Sequence, residues 1–111
     1  MDIMDYIVEQ AQADERARRV IVPSRVKATM MQLEDKEQDS VRDVIRAIEY
    51  DGLDNIPGVS VRKVDRAKPF YVLHPDSAPD ILIFVSPTAD ARFEVSDIVR
   101  PETLRNFANA R

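Results

Sequence analysis

The chain contains no cysteine and no tryptophan, and only two glycines and one histidine. Without cysteine there is no disulfide, no thiolate metal site and no cysteine nucleophile, a composition at home in a reducing compartment. A lone histidine, His74, excludes a metal site built from several imidazoles. Two glycines leave little left-handed backbone and nearly exclude a glycine-rich phosphate loop. No apolar run approaches the roughly 20 residues that span a bilayer. The N-terminal stretch carries Asp2, Asp5 and Glu9 where a secretory leader would be basic and then apolar. These absences predict a cytoplasmic protein with no cofactor, no metal and no membrane partner.

What is present suits one modest domain of 111 residues, 44% hydrophobic and 32% charged. The net charge of −4 is unevenly spread. Residues 1–57 hold 8 basic and 13 acidic side chains, and residues 58–111 hold 8 and 7. Within the second part Arg62, Lys63, Arg66 and Lys68 cluster. They permit a local anion site, whereas a nucleic-acid surface read from charge alone would need a basic domain.

The strongest pattern lies in the C-terminal third. Pro69-Phe-Tyr-Val-Leu-His74, Asp80-Ile-Leu-Ile-Phe-Val-Ser86 and Arg92-Phe-Glu-Val-Ser-Asp-Ile-Val-Arg100 are rich in β-branched and aromatic residues. Turn residues separate them, which predicts a three-stranded meander. The connections are too short for helical crossovers, so the pairing should be antiparallel. Phe70 and Val72 oppose Tyr71 and Leu73; Ile81, Ile83 and Val85 oppose Leu82 and Phe84. Both faces are apolar and both call for cover. Asp97 breaks the alternation, and either a bulge turns it outward or a hydrogen bond holds it.

Upstream, residues 2–18 read as an amphipathic helix with Ile3, Met4, Ile7, Val8 and Ala11 on one face. Docking on its own domain accounts for this helix better than a partner-binding or membrane helix, and its acidic charge disfavours an anionic membrane. Val20-Ile-Val22 reads as an edge strand stopped by Pro23. A helix capped by Ser24 follows, then a second with Asp35 and Gln38 as a capping box and Gly52 as its stop. Their apolar positions, Val26, Met30 and Leu33, then Val41, Val44, Ile45 and Ile48, make a helix hairpin that covers the sheet. Leu53–Lys68 is weakly patterned, with Val59, Val61 and Val64 a short strand or an irregular segment. Pro101 starts a final helix over 101–108, with Leu104 and Phe107 inward. The expected fold class is α+β. An antiparallel sheet, the three-stranded meander plus the short N-terminal edge strand, is packed by the helical hairpin and flanked by an extra N-terminal helix and a short C-terminal helix.

This order from residue 19 onward, with the phrase Phe93-Glu-Val-Ser-Asp-Ile-Val-Arg-Pro-Glu-Thr-Leu104, resembles the RelE/ParE superfamily of bacterial type II toxins. Pro69–His74 and Val22-Pro-Ser-Arg25 also look like strands of that family. The resemblance spans residues 19–108 and leaves 1–18 as an addition. It implies a toxin neutralised by a cognate antitoxin protein. RelE-like members cut mRNA on the ribosome without metal, and ParE-like members inhibit DNA gyrase.

Metal-free RNA cleavage must deprotonate a 2′-hydroxyl, stabilise a crowded phosphorane with cations, and protonate the leaving 5′-oxygen. By position in the family pattern, Arg100 is the candidate phosphate contact, and His74 and Tyr71 are candidate proton carriers. Arg62, Lys63, Arg66 and Lys68 fall where the family often carries lysines, and are candidate RNA- or phosphate-binding residues. Other readings remain open for each. Arg100 also suits pairing with Glu102 or Asp97, His74 a hydrogen-bonded turn, Tyr71 core packing, and the four cations a solvated loop. The chain departs from the family at Ile81 and Leu82, where an arginine is usual, in its Asn106–Arg111 tail, and in its acidic pI of about 5.0. Two alternatives to an endoribonuclease therefore stand: a catalytically silent relative that binds protein or inhibits gyrase, and a homo-oligomer whose second apolar face meets its own copy.

Overall fold

The structure is a computed structural model that describes residues 19–102. It is an α+β fold with a five-stranded mixed sheet and two helices among those residues. Strand β1 (Val20–Ile21) leads to helices α1 (Ser24–Met31) and α2 (Asp35–Asp51), then strands β2 (Val59–Val64), β3 (Phe70–Pro75), β4 (Leu82–Pro87) and β5 (Phe93–Val99). The spatial order is β1-β5-β4-β3-β2. Strands β2 to β5 pair antiparallel in chain order, and β1 joins β5 in parallel. The predicted N-terminal helix over 2–18 lies outside the described residues. So does the final helix beyond Pro101 and Glu102, with Leu104 and Phe107.

The strand count and the pairing of β1 correct the sequence-based expectation of an antiparallel sheet: β1 joins β5 in parallel, because the two helices between them carry the chain back across the sheet. Val59–Val64 is a full strand in register with β3 over six consecutive pairs. Its alternation was faint because it is an edge strand, half-exposed at its ends and exposed between them, so little burial selects apolar residues there.

Local signals shift by a residue in two places. Pro23, not Ser24, is the N-cap of α1; its carbonyl accepts the Val26 and Lys27 amides at 3.0 Å, and no side chain caps the helix. The capping box of α2 is Glu34 with Glu37, one position before Asp35 and Gln38. Gln38 instead donates its side-chain amide to the Leu33 carbonyl at 3.0 Å. At the other end Gly52, with φ of 72°, donates to the Ile48 carbonyl at 2.9 Å and stops the helix. A left-handed φ costs glycine nothing.

The core lies on one face of the sheet. Leu73, Ile81, Ile83, Val85, Val95 and Ile98 form a single buried cluster with Val26 of α1 and Val41, Val44 and Ile48 of α2. Burying each of these large aliphatic side chains contributes about 1.5–3 kcal/mol before entropy is counted. The opposite face carries Phe70, Val72, Leu82, Phe84 and Val99, all half-buried. Phe70 and Phe84 meet edge-to-face with ring centroids 6.0 Å apart.

Asp97 reaches this outer face by the bulge route. Phe84 pairs with Asp97 while Val85 pairs with Val95, so Ser96 is an extra residue. The Asp97 carboxylate then accepts the Ile98 amide at 2.9 Å.

Candidate functional site

Arg100 follows the last residue of β5 and turns back onto the start of α2. Its guanidinium donates two hydrogen bonds to Glu37, at 2.9 and 2.6 Å. This fork is the bidentate geometry that makes arginine–carboxylate pairs strong and directional. Glu37 is only 6% exposed, so it is not the screened surface partner whose pairing contributes little. One of its oxygens also accepts the Glu34 amide at 3.1 Å, completing the capping box. The Arg100 hydrogen bond, above all, holds the Glu37 carboxyl below its ordinary value, helped by the Glu34 amide and opposed by burial. Glu37 in turn raises the Arg100 guanidinium, with Glu34 and Asp80 adding negative potential. Arg100 also borders a polar cavity of about 400 Å³ with Pro79, Asp80, Pro101 and Glu102. Carboxylates therefore surround this cation.

His74 sits on the outer face at the end of β3, across from Ser60. Its Nε2–H donates to the Pro79 carbonyl at 2.9 Å, since a carbonyl can only accept. The ring thereby ties β3 to the turn that begins β4. Pro79 also borders the Arg100 cavity, so His74 and Arg100 lie at the same end of the sheet. Tyr71 does not join them. It pairs with Lys63 and Val85, lies on the core side, and packs half-buried against the hydrophobic cluster.

The four cations gather elsewhere. Arg62 and Lys63 are on β2, and Arg66 and Lys68 are in the turn to β3; all four are exposed. Because β2 and β3 are antiparallel, that turn lies at the end of the sheet away from Arg100 and His74. Lys63 has Asp65 at 3.4 Å. The predicted site residues thus divide into an acidic end holding Arg100 and His74, and a basic hairpin.

Two features escaped the sequence reading. Glu49 of α2 accepts the Arg19 and Val20 amides, each at 2.9 Å, so the outward amide of edge strand β1 is closed by a carboxylate. Buried Ser40 of α2 shares a 2.7 Å hydrogen bond with Ser77 of the β3–β4 turn. Both contacts span about thirty residues or more, beyond any local spacing rule. A cavity of about 630 Å³ opens beside β1, with Lys27, Arg46, Arg92 and Tyr50 in its lining. Two of its cations already face acids: Arg46 has Asp43 at 3.7 Å and Arg92 has Asp90 at 2.7 Å. Thr88, first, and Arg92 hold the Asp90 carboxyl below its usual range. Among the described residues no group of three His, Asp or Glu side chains is placed to hold a metal ion, and no helix is long and apolar enough to cross a membrane.

The arrangement is one of well-tied structural polar groups, α+β in class. Comparison with known proteins finds no family model, no curated protein and no solved structure that matches this chain.

Proposed function

We propose that the protein is a catalytically silent relative of the RelE/ParE toxins that acts in the cytoplasm by binding a partner protein of the antitoxin kind. The kinship is supported by the Phe93–Leu104 phrase and by a short first strand, two helices and a run of antiparallel strands in that order. In this reading the two helices form the hairpin that backs the sheet.

The observation that carries the silent version is the bidentate Arg100–Glu37 pair. Phosphorane stabilisation needs a cation aimed at open space. Arg100 spends its fork on a buried carboxylate, with Glu34 and Asp80 nearby. An RNA phosphate approaching it meets negative charge. The proton on His74 Nε2 is committed to Pro79, and Tyr71 belongs to the other face of the sheet.

Induced expression of the chain without any partner is the test. Undiminished growth and unimpaired cell-free translation are expected. Growth arrest with cleaved mRNA would overturn the silent version and restore the endoribonuclease, with the basic hairpin on phosphate. Arrest with intact mRNA would point to gyrase. Sedimentation as a dimer at low micromolar concentration would instead favour the self-associating domain.

A further inference from the structure

The sheet has two edges, and they are finished differently. Strand β1 is two residues long, is followed by Pro23, and has its Val20 amide closed by Glu49. Strand β2 is six residues long, unbroken by proline or bulge, and among the described residues has a neighbour only on its β3 side. The Asp76 amide donates to the Gly58 carbonyl at 2.8 Å, which sets the phase of the ladder. In an antiparallel pair, residues alternate between bonding the partner and facing away. Ser60, Arg62 and Val64 therefore bond β3, while Val61 and Lys63 aim their amides and carbonyls at the open edge. The Val59 carbonyl also points outward, its own amide being taken by the Ile56 carbonyl at 3.2 Å.

We infer that the β2 edge is a docking site for an extended acidic segment of a partner protein, which adds as a sixth strand. Addition at an open edge draws affinity from main-chain hydrogen bonds and specificity from alternate side chains. Here the alternate side chains state a preference. Outer-face neighbours of an added strand meet Arg62, with Arg66 and Lys68 beyond the end of β2; the hairpin holds four cations against the single acid Asp65. Inner-face neighbours meet Val59, Val61, which is 37% exposed, and at the turn end Lys63, which has Asp65 at 3.4 Å. A cavity of about 420 Å³ between α2 and the start of β2 lies toward the same face, bordered by Ala47, Ile56 and Val59 and also by Asp43 and Asp76, so the acidic residues of the segment belong at the Arg62 end. A strand with an acidic residue beside Arg62 and aliphatic residues beside Val59 and Val61 matches both rows. A second copy does not, because two-fold pairing through this edge brings both copies' Arg62 and Lys63 into one short ladder. Charges placed on an edge act against such self-pairing.

This inference rests on sheet geometry and on the charge of the hairpin, and is independent of the toxin kinship. The test titrates isotope-labelled full-length protein with a blocked peptide alternating valine and glutamate, and with its valine–lysine counterpart. The glutamate peptide is expected to shift and protect the Val61 and Lys63 amides, and to bind roughly tenfold or more tightly than the lysine peptide, since paired charges of opposite sign stabilise and like signs repel. Val61→Pro removes an outward amide and leaves the β3 ladder intact, so binding is lost while β3 amide protection persists. Should Val61→Pro unfold the protein, Arg62→Glu decides instead, by reversing the peptide preference. Equal binding of the two peptides, or shifts confined to other strands, would overturn the proposal. Protection of Val61 and Lys63 in a peptide-free dimer would also overturn it, and would assign the edge to a second copy.

Discussion

The two ends of the sheet invite comparison, because between them they hold all but Tyr71 of the residues that the sequence offered as a site. At one end Arg100, Glu37, His74 and Pro79 lock strand ends to a helix start and to a turn. At the other, Arg62, Lys63, Arg66 and Lys68 stand in solvent around a short hairpin turn. The first end is acidic, partly buried and bound to itself; the second is basic and exposed, with Lys63 facing Asp65. Charge that satisfies the fold has little left for a ligand. Charge that the fold ignores is free to recognise one.

The comparison is sharpest when the tied end is cut. Arg100→Ala leaves Glu37 buried without its partner, and is expected to cost about 2–3 kcal/mol, below the range for fully buried pairs because the Arg100 side chain is 39% exposed. A thermal or urea melt measures it. Its pH dependence gives a second reading. Glu37 has a depressed folded pKa, so its contribution is complete above the ordinary glutamate range and is lost as pH falls through the lower folded value. Wild type and variant should therefore differ most near neutral pH and converge in acid. A gap that stays constant into acid would show that Arg100 acts by packing alone.

Removing the imidazole is the milder cut. His74→Ala frees the Pro79 carbonyl to solvent and should cost about 1 kcal/mol, the usual net value of one hydrogen bond. Faster amide exchange confined to the β3–β4 turn would locate the effect. Smallest of all, Arg66→Ala and Lys68→Ala should each change stability by less than about 0.5 kcal/mol, as exposed substitutions do. A loss of more than 1 kcal/mol at either position would erase the contrast between the two ends.

Particular residues show where the sequence was legible. The strict alternation of Phe70 to His74 and of Ile81 to Val85 placed both strands and both faces, because burial on a pleated surface writes itself with a period of two. The alternation failed at Asp97 for a visible reason, and the bulge that explains it was one of two accounts available from the pattern. Val59–Val64 was obscure because an edge strand buries too little to write a pattern. The helix starts were legible to within a residue: Glu34, not Asp35, takes the cap position, and Gln38 serves the Leu33 carbonyl instead. Arg100 was offered as a phosphate contact, with pairing to its sequence neighbours Asp97 or Glu102 as the other reading. The partner is Glu37, 63 residues away.

By itself the amino-acid sequence determined the α+β class, the two opposed apolar rows of the central strands and the basic cluster at 62–68, since periodicity and composition act locally; which row faces the helices was decided by the packing. Only the tertiary structure decided which charges are consumed and which remain. An arginine's availability depends on what stands within hydrogen-bond reach once distant segments are packed together, and Glu37 and Glu49 come into reach only when α2 lies against the sheet.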